Sequence, residues 1–395
     1  MAKPLDGLKV VDLTRVLAGP FSTMLLADMG ADVIKIENPK DGDDSRAFGP
    51  FKNGLSAYYA SLNRSKRSIT LNLKEERGRE ILKKLAGNAD ILVENYKPGT
   101  MKKLGLDYDA LKTLNPRLIY AASSGFGQTG PYSSKAAYDL ILQGMSGFMS
   151  ITGFDVQQPV KAGSSIADVF AGVFTTIGIL AALEHRRKTG QGQLVDVAML
   201  DCMIATLENA VASFDCTGKP PQPIGNVHRS IAPFASFPTS DGLVNVCAGN
   251  DDLWRRFCEA VGMEKYVTDP RFANNKARVE NFGELSKIIA EHTSRRTTAE
   301  WVEALDAVKV PCGPIMNIEQ VANDPQVKAR NMLLELEHPE FGKYLVPGVP
   351  IKFSETPASI KSFAPTLGEH NFEVYAKELG LSREEVEALQ KEGVI

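Results

Sequence analysis

The chain has 395 residues, 43% of them hydrophobic and 24% charged, with 45 Lys and Arg against 48 Asp and Glu. That length accommodates two or three domains, or one large domain with a smaller one inserted, and a net charge of −3 without a basic tail gives no footing for a nucleic-acid partner. Five widely spaced cysteines, with no CxxC and no HExxH, argue against a disulfide framework or a metal site and for a reducing, cytoplasmic compartment.

In chain order, residues 8–13 read as a first strand, and Gly19-Pro20 opens a helix through Met24, Leu25, Leu26 and Met29 that Gly30 closes. Residues 32–37 form a second strand and 68–73 a third, followed by a helix over 74–86. Residues 90–94 and 118–122 are two more strands. Alternating strands and helices predict a parallel sheet covered on both faces, with ligands at the carboxyl ends of the strands. A Pro-rich linker is expected over 215–223. Beyond it, a turn at Asp241-Gly242 precedes a strand at 243–247, and helices are expected at 253–261, 283–293 and 299–308. From Phe372 on, the chain reads as an amphipathic helical tail. The N-terminal MAKPLDG lacks a signal-peptide apolar run. The longest apolar run, 169–183, is short for a membrane span and contains Thr and Gly, so no membrane partner is expected.

The most informative residue is Asp168, the one ionisable group between Lys161 and Glu184. A carboxylate at the mouth of an apolar helix is a cap or a reagent. Ser165 followed three residues later by Asp168 resembles a capping box with Asp in place of Glu, and the helix dipole favours an anion in the first turn. The same amides would hold the carboxylate ionised, and an ionised carboxylate is a nucleophile. Local sequence leaves both readings open.

GFGQTG at 125–130 matches GxGxxG, but it follows a late strand and no glycine-packed helix continues from it. A Gly-rich active-site turn is therefore expected in place of a dinucleotide fingerprint. Neither a P-loop nor a GxSxG elbow is present. Lys74, Lys97, Lys102 and Lys103 follow predicted strand ends and are candidates for the phosphates of a nucleotide-like ligand.

Several long, ordered motifs then coincide with one family: GLKVVDLT at 7–14, AGP at 18–20, LADMGADVIKIE at 26–37, GD at 42–43 and LNRSKRSI at 62–69. DILVEN at 90–95, PG at 98–99, GFG at 125–127, LEHRRKTGQG at 183–192, PCGP at 311–314 and LGEH at 367–370 extend the match almost end to end. In these segments the chain resembles the family III CoA-transferases of the formyl-CoA transferase and carnitine CoA-transferase type. The resemblance implies that Asp168 is the nucleophile, carrying first a mixed anhydride and then an aspartyl-CoA thioester. No permanently bound cofactor is implied, CoA and acyl-CoA being substrates. It places CoA contacts at Val16, Leu71, Lys74, Asn95, Tyr96, Lys97 and Met199.

The chain departs from the pattern in places. An arginine that often follows the IKIE motif is Asn38, a glutamine near the oxyanion of the formyl-CoA enzymes falls at Leu17, and their glycine loop is replaced by GNVHRSIAP at 225–233. These departures point away from a formyl-CoA:oxalate enzyme. His228 and Arg229 in that segment are candidates for the distal carboxylate of a dicarboxylic acid such as succinate, since Arg holds carboxylates in a bidentate fork. Tyr138 and Asp139 are further substrate-site candidates. The related α-methylacyl-CoA racemases have a histidine at the Tyr138 position, and a neutral tyrosine is a poor base near pH 7, which favours transferase over racemase and over a CoA-binding protein without chemistry. The resemblance also implies an interlocked homodimer. The expected fold is α/β: a Rossmann-like large domain with a parallel sheet (1–224, with a C-terminal return at 321–395) and a smaller α+β domain (225–320).

Overall fold

The computed structural model describes residues 2–395. The chain divides into two compact units. The first contains residues up to Met149, Lys161–Lys219 and Gln326–Ile395, and the second contains Ser150–Val160 and Pro220–Pro325.

The first unit is built on six parallel strands: β1 (Lys9–Asp12), β2 (Asp32–Glu37), β3 (Arg67–Thr70), β4 (Ile91–Glu94), β5 (Ile119–Ser124) and β6 (Leu194–Ala198). Their spatial order is β3-β2-β1-β4-β5-β6. The order reverses between β1 and β4, so the loops that leave these neighbours diverge and open a crevice above the sheet. β1, β2 and β4 are almost wholly buried, as apolar runs covered on both faces must be.

One face carries Val10, Val33, Ile91, Val93 and Ile119. It packs against α1 (Ala18–Asp28) and against Ile179 and Ala182 of a long later helix. The other face carries Val11, Ile34, Ile69 and Leu92 and is covered by α2 (Glu76–Gly87) and by C-terminal residues including Val374, Tyr375 and Leu389.

The structure departs from the sequence expectations in five places. The third strand stops at Thr70, where Leu71 N–H still reaches Glu37 O but Asn72 N–H turns to Val394 O. β6 had no sequence signal, because an exposed edge strand after a glycine turn lacks a continuous apolar run. The start of the expected linker is helical, with Ala210–Thr217 ending at left-handed Gly218. The C-terminal tail is two helices, Asn371–Leu379 and Arg383–Lys391, divided at left-handed Gly380.

The fifth departure concerns the helix that contains Asp168. Preceding it is the short α3 (Asp139–Met145), and the helix itself, α4 (Ile166–Thr189), has 24 residues with a mean hydropathy of 2.0 over its most apolar window. It is therefore long and apolar enough to cross a membrane, by length and composition alone. In the fold, Ala171, Thr175, Ile179 and Ala182 are buried, whereas Phe174 and Ile177 on another side are exposed.

The second unit has an antiparallel sheet of β7 (Phe234–Pro238), β8 (Leu243–Cys247) and β9 (Cys312–Pro314), in the order β9-β8-β7. Three helices, Asp251–Val261, Phe282–Thr293 and Thr298–Ala307, enclose its core of Phe237, Val244, Trp254, Phe257, Ile289 and Trp301.

Candidate active site

The crevice above β1 and β4 holds two adjoining cavities in the first unit. One, of about 380 Å³, is lined by residues that include Thr14, Leu71, Lys74 and Tyr96. The other, of about 280 Å³, is lined by residues that include Val16, Asn95, Lys97, Tyr138, Asp168 and Met199. Six of the seven expected CoA contacts and the expected nucleophile thus divide between two cavities that share Arg15 and Tyr96, and Tyr96 is the seventh. Lys102 and Lys103 line neither cavity and are exposed on the short helix Thr100–Leu104.

The walls are held by contacts that the sequence did not reveal. The Asn95 side chain accepts Arg15 N–H at 2.8 Å and donates to Arg15 O at 2.8 Å, so one amide clamps both sides of that residue. The next residue, Val16, has φ +67°, a conformation costly for a β-branched side chain. Its N–H reaches Asp43 Oδ1 at 3.1 Å. Asp43 is buried 2.7 Å from the ammonium of buried Lys35, which also donates to Thr14 O at 2.9 Å. Burial opposes the charge on Asp43, but Lys35 and the Ser45 donors overcome it and hold the carboxyl well below its usual range. The strained Val16 turn is therefore fixed from two directions.

Asp168 lies in the first turn of α4, partly buried, where its carboxylate has no hydrogen-bond partner among the described residues. The capping-box expectation is corrected here: Ser165 makes no side-chain cap bond. The cap comes from Asp139, whose Oδ1 accepts Ala167 N–H at 2.9 Å. Its Oδ2 accepts from Gln143 Nε2 at 2.7 Å, and Gln143 Oε1 accepts Ala162 N–H at 2.8 Å. Fully buried Gln143 thus ties the start of α3 to the segment that leads into α4.

The expectation that helix amides keep Asp168 ionised is corrected as well. Burial, and then the charge of Asp139, push its carboxyl up to about 7. Raised basicity and loss of solvating water both increase carboxylate nucleophilicity once the proton has left.

Two glycines set the packing around this residue. A Cβ on Gly172 would lie 2.7 Å from Ala18 O, so only glycine lets α4 approach the start of α1. A Cβ on Gly125 would lie 2.1 Å from Ala137 Cβ, so the GxGxxG turn serves to admit the 136–138 segment to the cavity wall.

Tyr138 is 73% exposed at the cavity rim. Asp139 is engaged in the cap. Tyr58, absent from the sequence reading, is close enough to the carboxylates for their charge to act on it: burial, then Asp168 and Asp139, push its phenol up to about 12, so it remains a hydrogen-bond donor. It had no motif to mark it; only its place beside Tyr59, which is buried at the Glu37–Arg46 ion pair, hints at a packed environment. His228 and Arg229 belong to the second unit. His228 lines a cavity of about 490 Å³ with Ser236 and Asn245, and both residues line a neighbouring one of about 300 Å³. His228 Nδ1 accepts Ser230 N–H at 3.1 Å, and Arg229 donates to Gln222 O. No group of three or more His, Cys, Asp or Glu side chains able to hold a metal ion occurs among the described residues.

The strand-order reversal of the parallel sheet thus carries two adjoining cavities, one with the Asp168 carboxylate at its wall. Residues 5–371 match CoA-transferase family III, and the chain belongs to that family. It is 45% identical over 383 residues to a succinate–glutarate CoA-transferase of Agrobacterium fabrum, covering 95% of each chain. It is 44% identical over 352 residues to an acetyl-CoA:oxalate CoA-transferase of Acetobacter aceti, covering 89% of each. A crystallised CaiB/BaiF family protein of Brucella suis superposes with a TM-score of 0.87 at 40% identity, covering 96% of this chain and 100% of that one. The chain is an enzyme that transfers CoA between carboxylic acids.

Proposed function

We propose that the enzyme exchanges CoA between small dicarboxylic acids, with succinyl-CoA as a donor, and that Asp168 carries the reaction. The observation that supports this most is the unpartnered, desolvated Asp168 carboxylate at the cavity wall. Ionised Asp168 attacks the thioester carbonyl, and CoA leaves as the thiolate, forming a mixed anhydride. The thiolate attacks the aspartyl carbonyl of that anhydride and releases the donor acid as its carboxylate. The acceptor carboxylate attacks the resulting aspartyl-CoA thioester, expelling thiolate and forming a second anhydride. Thiolate then attacks the acceptor's acyl carbonyl, and Asp168 leaves as a carboxylate. Covalent division suits an acceptor that is a weak nucleophile.

The dicarboxylate choice is supported by relatives named for succinate, glutarate and oxalate and by the His228–Arg229 segment, which we assign to the distal carboxylate because a guanidinium holds a carboxylate in a bidentate fork. CoA binding is assigned to the first unit through Val16, Leu71, Lys74, Asn95, Tyr96, Lys97 and Met199. A homodimer in the cytoplasm is part of this reading. Exposed Phe174, Ile177, Val211 and Phe214 supply apolar surface for a second copy, and the five cysteines are free thiols.

The test is incubation with succinyl-CoA alone, followed by hydroxylamine or borohydride trapping, and a panel of C2 to C6 mono- and dicarboxylates read by mass spectrometry of the CoA esters. Modification of Asp168 and preferential dicarboxylate turnover are expected. A preference for monocarboxylates, or Arg229→Ala with unchanged dicarboxylate turnover, removes the acceptor assignment. An unmodified Asp168 removes the mechanism.

A further inference from the structure

We propose that Arg15 is the diphosphate anchor of the CoA thioester and that Asp44 is its competing counter-ion. The inference rests on the reading that the thioester reacts at Asp168. Arg15 and Tyr96 are the two residues that line both cavities. CoA has a nucleotide at one end and a thioester at the other, joined through a diphosphate. With the thioester at Asp168 in the smaller cavity and the nucleotide in the larger, the diphosphate falls where the cavities adjoin. That junction carries the Arg15 guanidinium.

The backbone there is immobilised by the Asn95 clamp at 2.8 Å on either side of Arg15. The side chain is not: it is 49% exposed, 5.4 Å from the Tyr96 ring centroid, with its one ion pair to the 51% exposed Asp44 at 3.2 Å. An exposed pair of this kind contributes little to stability. It is therefore readily exchanged for a diphosphate, whose oxygens offer the planar guanidinium bidentate bonds. Lys35, a further cation on the wall of the larger cavity, is already engaged by Asp43 and Thr14 O, and Lys74 and Lys97 each line only one of the two cavities.

The two members of the pair are expected to act in opposite directions. Arg15→Ala should lower kcat/KM for the CoA ester by roughly tenfold to a hundredfold, through KM, with Arg15→Lys intermediate. Asp44→Asn should lower the KM for the CoA ester, because it removes the competitor. A merely structural ion pair predicts a loss in both variants. The decisive comparison repeats the assay with succinyl-pantetheine, which lacks the diphosphate. The Arg15→Ala penalty should shrink to within about twofold, since only the missing contact is lost. A penalty of equal size with both donors, or a raised KM in Asp44→Asn, overturns the assignment. Wild type that moves neither CoA from succinyl-CoA nor pantetheine from succinyl-pantetheine to an acceptor acid refutes the proposed succinyl-donor reaction on which the inference rests, which is a different outcome from either of these. Thermal melting of each variant identifies any loss that comes from unfolding.

Discussion

The carboxylate of Asp139 accepts the backbone N–H of Ala167 at 2.9 Å, one residue before Asp168 in the first turn of α4. Two acids thus meet at one helix mouth with divided duties. Asp139 satisfies an amide that would otherwise lack a partner, and Asp168 is left without one. The division removes the stabilising bond from the residue that must react and places a negative charge beside it.

Asp168→Asn should abolish transfer and at the same time stabilise the fold at pH 8. The folded carboxyl sits near 7, above its unfolded value, so ionising it costs folding free energy. That cost is fully present above about pH 7 and fades as pH falls toward the unfolded value. The gain should be on the order of a few kcal/mol at pH 8 and smaller at pH 5. Calorimetry at the two pH values checks it, and an unchanged melting temperature at pH 8 contradicts it.

The same group sets a pH limb. Only ionised Asp168 attacks the thioester, so kcat/KM for the CoA ester should fall as pH drops below about 7. Asp139→Asn removes the neighbouring charge while its carbonyl oxygen can still accept Ala167 N–H. The limb should then move to lower pH by roughly one unit or less. A limb that stays in place shows that burial alone raises Asp168.

Gln143→Leu should cost both stability and turnover. It strips partners from Asp139 Oδ2 and from Ala162 N–H, and an unsatisfied buried group costs about 1–3 kcal/mol. Because Gln143 lines neither CoA cavity, kcat should fall more than KM for the CoA ester rises. Denaturant melts and steady-state kinetics together separate the two effects.

Gly172→Val should drive α1 and α4 apart, since even a Cβ meets Ala18 O at 2.7 Å. A loss of roughly 1–3 kcal/mol is expected from overpacking. Gly163→Ala serves as the control, because a Cβ there meets nothing within 4 Å; equal losses in the two variants would rule out the close approach as the cause.

Racemisation should be absent. Tyr138 is an exposed phenol at the cavity rim, and Asp139 is committed to the cap. Deuterium incorporation at the α-carbon of a 2-methylacyl-CoA in heavy water, at a rate comparable to CoA transfer, would restore the racemase reading.

Most of the cavity-lining residues were named only through the family resemblance, whereas strand and helix alternation and the prominence of Asp168 were legible from the chain alone, because apolar period is a local property. The edge strand β6 was not, since its pairing partner β5 lies some seventy residues earlier in the chain. Nor were the clamp of Asn95 on Arg15, the ion pair of Lys35 with Asp43, or the charge of Asp168 on Tyr58, each of which joins residues from different segments. The choice at α4 shows the boundary most clearly. Sequence offered Ser165 and Asp168 as a self-contained cap, because a capping box needs only four consecutive residues. The fold brought Asp139 to the same helix turn, at the Ala167 N–H, from 28 positions away. Whether a carboxylate caps or reacts depends on which acid reaches the helix end first in space, and spacing along the chain carries no record of that.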